Sequence, residues 1–186
     1  MGGRGARSAS GKMFDRLPDQ KMAHLMISNE QPAKGEIMRA FIIAKLKSVE
    51  DNPKLEGQIY KELHSVTMAD MSGRTLGVYA PGLKRIIVKR GLDPAEARAT
   101  VAHELGHALA VKPPPGFRSD VAAFESAFKQ YKKANPRASE TSFSARISNY
   151  ATNSRGEAFA EAFKDVSVNG KKAKPESKLI LKHWKE

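Results

Sequence analysis

The spacing of apolar residues predicts two helices in the first third of the chain. Between Glu36 and Val49, apolar residues recur near one side of a helix. A second helix is predicted from about Pro53 to about Leu63. The segment before them, from Asp15 to Met26, is mixed and favours neither helix nor strand.

The pattern then changes from helical spacing to alternation. Leu76, Val78 and Ala80 alternate with small or polar neighbours, and Pro81-Gly82 is a turn signal. The run KRIIVKR that follows is rich in β-branched residues. We therefore predict a hairpin whose second strand lies near Arg85–Lys89.

A strongly signalled helix comes next. Asp93 can cap it, Pro94 suits its first turn, and Glu96 completes a capping box. The helix is predicted to run through TVAHELGHALAV and to stop before the prolines at 113–115.

The C-terminal half is predicted to be mostly helical. A helix begins at Ser119 or Asp120, ends near Asn135-Pro136, and has an apolar side made of Val121, Phe124, Phe128 and Tyr131. Residues 137–153 are predicted to be a loop, followed by a helix over about 155–168 and a short one over 175–184. Strands followed by helices indicate an α+β fold with a small antiparallel sheet.

The composition is typical of a globular protein and narrows the chemistry. Apolar residues make up 40% and charged residues 28% of 186 residues, and there is no cysteine. Disulfides and cysteine-ligated zinc are therefore excluded. We expect a basic, glycine-rich, disordered tail at residues 1–14 and a single domain at residues 15–186.

The net charge of +12 is concentrated near the ends of the chain. Arg4, Arg7 and Lys12 precede the first acidic residue, Asp15. The last residues carry a cluster of lysines: Lys171, Lys172, Lys174, Lys178, Lys182 and Lys185. We expect solvated basic tails, which could also contact acidic partners or nucleic acid.

No apolar run is long enough for a membrane span, and no apolar stretch follows the basic N-terminus as in a secretory signal. The location stays open. The cytoplasm of a bacterial host or an association with a phage is the expectation.

The sequence HELGH places a metal-binding pattern on the capped helix. His103 and His107 are four residues apart, so both imidazoles lie on one helix face and can reach one ion. Glu104 is offset by about 100°, where a general base can take a proton from a metal-bound water. Gly106 costs roughly 1 kcal/mol in a helix, which indicates that another part of the chain packs closely there.

A catalytic zinc needs a third protein ligand, and no third histidine follows the motif within ten residues. Glu157 and Glu161 form an i, i+4 pair on a later helix, and their repulsion would be relieved by a metal and a metal-bound histidine. One carboxylate would ligate and the other would accept a hydrogen bond from an imidazole. The simpler interpretation is that Glu157 belongs to a capping box with Ser154 and that Glu161 faces solvent.

The segment SNYATNSRGEAFAEAF, residues 148–163, resembles the corresponding stretch of the anthrax lethal factor type of zinc peptidase and of the Pro-Pro endopeptidases. The resemblance extends from the KRIIVKR strand to Val168. It implies a zincin-like fold, one Zn²⁺ per chain and a protein or peptide substrate. It also implies that Glu157 is the third ligand, that Glu161 holds a ligating imidazole, and that Tyr150 stabilises an oxyanion.

Two other functions remain open at this stage. One is a phage or bacterial protease that cleaves a repressor, although the long interval from His107 to Glu157 argues against that class. The other is a basic nucleic-acid-binding or virion-associated protein with a structural or vestigial metal site. The expected function is a zinc-dependent endopeptidase with Glu104 as general base.

Overall fold

The computed structural model describes residues 27–32 and 53–186, and these form an α+β fold, as predicted. The strands are β1 (Ile27–Pro32), β2 (Ser65–Met71), β3 (Gly77–Ala80) and β4 (Arg85–Lys89). The helices in this part of the chain are α1 (Pro53–Glu62), α2 (Pro94–Val111), α3 (Asp120–Ala134), α4 (Glu140–Ile147), α5 (Arg155–Asn169) and α6 (Pro175–Trp184). Short 3₁₀ turns cover Tyr150–Asn153 and Gly170–Lys172.

The sheet is mixed, with the strand order β1-β2-β4-β3. β3 and β4 form the predicted antiparallel hairpin, but β4 pairs with β2 in parallel, so the prediction of a purely antiparallel sheet is wrong. Ile86, Ile87 and Val88 explain the difference, because all three are fully buried. Such a continuous apolar run needs cover on both faces and therefore occupies the interior of a sheet.

α2 begins and ends where the sequence predicts. The Asp93 side chain accepts hydrogen bonds from the backbone N–H groups of Ala95 and Glu96 at 2.8 and 3.1 Å, which caps the first turn. The helix ends at Val111, just before the prolines. Its buried face, which includes Val101 and Leu105, joins the same apolar core as the sheet.

The C-terminal half is more helical than predicted. Residues 137–153 are not a loop, because α4 forms within them. Ser139 and Ser142 cap each other reciprocally, and Phe143 and Ile147 bury one side of the helix. Val121 does not join the apolar side predicted for α3, since it is 42% exposed.

α5 is the central helix of this half. On one side it packs against α2, and on the other its Phe159 and Phe163 rings lie 5.2 and 6.1 Å from the ring of Trp184 on α6. Every residue from Glu157 to Phe163 is buried. α3 and α6 therefore lie on the side of α5 away from α2.

Some of the predicted features lie outside the described residues, and others differ from what the structure has. The basic tail at 1–14 and the helix at Glu36–Val49 lie outside the described residues. The C-terminal lysines, predicted to form a solvated tail, lie on the folded helix α6 and directly before and after it. In the described part of the chain, every helix is too short or too polar to cross a bilayer.

Candidate metal centre

Two histidines from one turn of α2 meet at the centre of the site. The Nε2 atoms of His103 and His107 are 3.1 Å apart, and their rings meet edge to face with centroids 4.7 Å apart. Both side chains are buried. The i, i+4 spacing therefore brings the two imidazoles together as the sequence predicts.

Glu157 approaches this pair from α5. Its backbone N–H donates to the Oγ of Ser154 at 3.0 Å, so the predicted cap fixes it in the first turn of the helix. Its Oε2 lies 3.3 Å from Nε2 of His103 and 3.3 Å from Nε2 of His107. The side chain is buried, and neither carboxylate oxygen has a regular hydrogen bond. A buried carboxylate in that condition needs a positive charge beside it.

The three atoms have the spacing of a tetrahedral metal site. Ligand atoms about 2.0–2.1 Å from one ion are about 3.3–3.4 Å apart at tetrahedral angles. The observed separations are 3.1, 3.3 and 3.3 Å. The buried cluster of His103, His107 and Glu157 could therefore hold a metal ion.

Gly106 allows the two helices to come this close. A Cβ at this position would lie 2.9 Å from the Cα of Ala160 and 3.1 Å from the Cβ of Phe163, both on α5. The close packing predicted from the helical glycine is thus present, and the neighbour is the helix that carries Glu157. Without this approach, α2 and α5 could not place their ligands around one point.

Glu161 holds the outer side of one imidazole. Its Oε1 lies 2.8 Å from Nδ1 of His103, on the side of the ring away from Glu157, although the contact is not aligned as a regular hydrogen bond. The ammonium of Lys164 donates to the same oxygen at 2.5 Å. Lys164 was missed by the sequence analysis, although its i, i+3 spacing from Glu161 was available as a signal.

The electrostatics of the cluster favour a positive charge at its centre. Burial lowers the pKa of His103, but Glu157 and Glu161 outweigh it and raise that pKa to about 9. Burial raises the pKa of Glu157, but His103 and His107 outweigh it and hold the pKa at about 2. Burial likewise raises the pKa of Glu161, which His103 and Lys164 bring down to about 2. All three shifts arise because anionic oxygens surround imidazole nitrogens at short range.

A cavity of about 570 Å³ opens beside the cluster. His103, Glu104 and Tyr150 line it together, and the Tyr150 ring centroid lies 5.7 Å from that of His103. The 3₁₀ turn that carries Tyr150 begins just after α4, so the same segment whose helix was not predicted also positions this tyrosine.

Gly77, at the start of β3, lies against the buried Glu104. A Cβ on Gly77 would stand 2.5 Å from Cγ2 of Thr100 and 3.3 Å from Cγ of Glu104. β3 therefore touches α2 beside the general-base candidate. Neither Gly77 nor Thr100 was singled out from the sequence.

The strand that borders the cavity is β3 rather than β4. β4 is hydrogen-bonded on both sides, to β2 and to β3, so it cannot also pair with a bound peptide. β3 pairs only with β4 within the described sheet, and Thr75, Leu76 and Gly77 line the cavity. Arg85–Lys89, which the sequence predicts as the second strand of the hairpin, is therefore not the strand that could pair with an extended substrate.

The two remaining histidines in the described part of the chain lie away from this cluster. His64 is exposed, and His183 contacts Gln130 and Glu186.

No protein-family model, curated protein or solved structure matches the chain.

Proposed function

We propose that the protein is a zinc-dependent endopeptidase. The observation that carries this proposal is the triangle of His103 Nε2, His107 Nε2 and Glu157 Oε2, with sides of 3.1–3.3 Å. Two histidines and a carboxylate form a ligand set that suits zinc. When bound, zinc would polarise a peptide carbonyl and lower the pKa of a water molecule.

A catalytic site is favoured over a structural one by the cavity. Structural zinc sites are closed by four protein ligands, whereas catalytic sites have three and an open position. Here three ligand atoms cluster, and the ring of His103 also lines a cavity of about 570 Å³. A substrate could therefore reach the metal from that side.

Glu104 and Tyr150 are the proposed reacting groups of the protein. Glu104 would accept a proton from the attacking water and deliver it to the leaving amine. Tyr150 would donate a hydrogen bond to the oxygen of the scissile carbonyl as negative charge develops on it. Support for both roles comes from their shared place in the cavity wall with His103.

His103 is the ligand with the best-defined orientation. Glu161 would accept a hydrogen bond from its Nδ1–H, which leaves Nε2 free to face the metal. Lys164 would hold the carboxylate of Glu161 in place.

The proposed substrate is an extended peptide that pairs with the edge of β3 opposite β4, where the described part of the chain places no strand. Backbone pairing would bind the peptide independently of sequence, and side-chain pockets would add preference. The apolar side chain of Leu76, which is 40% exposed, borders this edge and the cavity.

The proposal is tested with the full chain, purified after zinc has been supplied. Metal content would be measured for the wild type and for Glu157→Ala. Hydrolysis of a mixed quenched-fluorescent peptide library would be measured for the wild type and for Glu104→Gln. We expect one zinc per wild-type chain, clear loss in Glu157→Ala, and hydrolysis that Glu104→Gln abolishes while keeping its zinc.

A wild type that binds no zinc would overturn the proposal at its first step. A wild type that binds zinc but cleaves no peptide, while Glu104→Gln behaves identically, would instead favour a structural metal. Hydrolysis that survives a chelator would mean that the activity comes from a contaminant.

A further inference from the structure

A basic surface lies on the outer side of α3 and α6. Six exposed lysines occur there: Lys129, Lys132 and Lys133 on α3, Lys178 and Lys182 on α6, and Lys185 directly after α6. We call this set the lysine face. The spacing of three or four residues, with Lys185 still in helical backbone conformation, places Lys178, Lys182 and Lys185 on one side of α6.

The two helices form one surface because they are joined at both the backbone and the side-chain level. The N–H of Arg118, just before α3, donates to the carbonyl of Trp184 at 3.0 Å. Nε2 of His183 lies 2.7 Å from Oε1 of Gln130. The end of α6 therefore contacts both the residue that precedes α3 and the C-terminal part of α3.

The charge of this face is largely uncompensated. Glu186 is the acidic neighbour, with Oε1 3.9 Å from Nζ of Lys182 and Oε2 2.7 Å from His183. The other five lysines make no ion pair with any residue in the described part of the chain, and the exposed Glu125 of α3 is already paired with Arg155. Concentrated like charge costs stability, which an anionic partner would recover.

The face is separate from the metal centre. α5 lies between α2 and the α3–α6 pair: its Glu157 reaches the histidines, while Phe159 and Phe163 pack against Trp184. A partner bound to the lysine face would therefore leave the cavity open.

The chemistry of the face favours duplex DNA over other polyanions. Single-stranded nucleic acid is bound by exposed aromatic side chains. Trp184 of α6 is fully buried, and the half-buried rings of Phe128 and Tyr131 on α3 pack against Phe143. A membrane surface favours exposed apolar side chains beside the lysines. Leu179 and Leu181 of α6 are half-buried or buried, and the exposed Val121 of α3 lies eight residues before the first lysine of the face. Lys178 and Lys185 are about 10 Å apart along the helix axis, and duplex DNA offers one phosphate charge per ~1.7 Å of its length.

We propose that the lysine face binds duplex DNA through the phosphate backbone, without reading base sequence. This goes beyond the peptidase proposal and does not depend on it, because no lysine of the face touches the metal cluster or the cavity. It would hold the site of the proposed peptidase on DNA.

The test compares two triple variants of the full chain that lose the same charge. Lys178→Gln/Lys182→Gln/Lys185→Gln removes half of the face. Lys54→Gln/Lys61→Gln/Lys112→Gln removes three exposed lysines on and beside α1. Binding of a fluorescent random-sequence duplex of about 20 base pairs would be followed by anisotropy over a range of salt concentrations. Matching thermal melting curves would show that both variants fold.

We expect the face variant to bind the duplex at least about tenfold more weakly. Its slope of log K against log salt should also become shallower by up to about 2.7, since each lost phosphate contact removes roughly 0.9. The control variant should change little. The result should be the same with and without a chelator, which separates it from the zinc proposal.

Several outcomes would overturn the proposal. Equal losses of duplex affinity in both variants would mean that net charge alone binds DNA. Unchanged affinity in the face variant would place the binding site elsewhere. So would a loss of affinity when Arg4, Arg7 and Lys12 are replaced. Tighter binding to oligo-dT than to duplex would point to single strands. Binding to phosphatidylserine vesicles but not to duplex would identify a membrane surface instead.

Discussion

Nδ1 of His103 lies 2.8 Å from Oε1 of Glu161, while Nε2 of the same ring lies 3.3 Å from Oε2 of Glu157. One imidazole is thus held between two carboxylates of one helix. The arrangement gives the two glutamates different roles, since only Glu157 also reaches His107.

Replacing Glu161 with glutamine should weaken metal binding by about 10–100-fold, because the imidazole loses the anion that orients it and increases its basicity. The zinc affinity of wild type and variant would be compared by competition with a chromophoric chelator. Glu140→Gln is the matched control, because its carboxylate pairs with Arg155 and not with a histidine. Equal zinc affinity in wild type and Glu161→Gln would show that Glu161 does not support the ligand.

Replacing Tyr150 with phenylalanine should lower kcat by about 10²–10³-fold with a much smaller change in KM, because an oxyanion donor acts mainly in the transition state. The ring would remain beside His103, so zinc content should be unchanged. Steady-state kinetics on a peptide selected from the library would measure this. A rise in KM with kcat intact would assign Tyr150 to substrate binding.

Replacing Gly106 with alanine should disturb both stability and metal binding. The added Cβ would lie 2.9 Å from the backbone of Ala160, and such overpacking costs about 1–3 kcal/mol. If α2 and α5 move apart, zinc affinity should fall as well. Gly57→Ala on α1 is the control, because a Cβ there meets nothing within 4 Å. Chemical unfolding and zinc competition that match the wild type would contradict this explanation of the glycine.

Local signals predicted the elements around the site well. The Asp93 cap and the prolines after Val111 define α2, and Ser154 and Gly170 define α5, because capping is written in a few adjacent residues. The helical spacing of His103 and His107 and of Glu157 and Glu161 likewise follows from local geometry.

What could not be predicted depends on contacts between distant segments. The parallel pairing of β2 with β4 and the edge position of β3 follow from which strand needs burial on both faces. Gly77 became relevant only once β3 was placed beside α2. α4 was overlooked because its cap uses two serines, a weaker signal than the glutamate of a standard capping box.

Asp165 offers a test of the fold that is independent of the metal. Its carboxylate accepts hydrogen bonds from the backbone N–H of Lys174 at 2.9 Å and from Asn169 at 2.7 Å, which ties the end of α5 to the start of α6. Asp165→Ala should lower the free energy of unfolding by roughly 1–3 kcal/mol at neutral pH.

The effect of Asp165 should also depend on pH. Burial raises its pKa, but the nearby Ser177 side chain and the hydrogen bonds from Asn169 and Lys174 outweigh it and hold the pKa below the ordinary value of 3.8. Because the folded pKa is the lower one, the stabilisation is present above pH 3.8 and is lost as pH falls through the folded pKa. Urea unfolding of wild type and variant at pH 7 and about pH 3 should show a smaller difference in acid; a constant difference would contradict the ionic role.

The burial of every side chain from Glu157 to Phe163 limits which substitutions this segment can tolerate during evolution. Each of these neighbouring side chains is needed by the cluster, by the seam with α2 or by the aromatic core beside Trp184. No position in this stretch can therefore change without loss, whereas an exposed stretch such as 134–137 tolerates more substitutions. Among related sequences, we expect these seven positions to be the most strongly conserved.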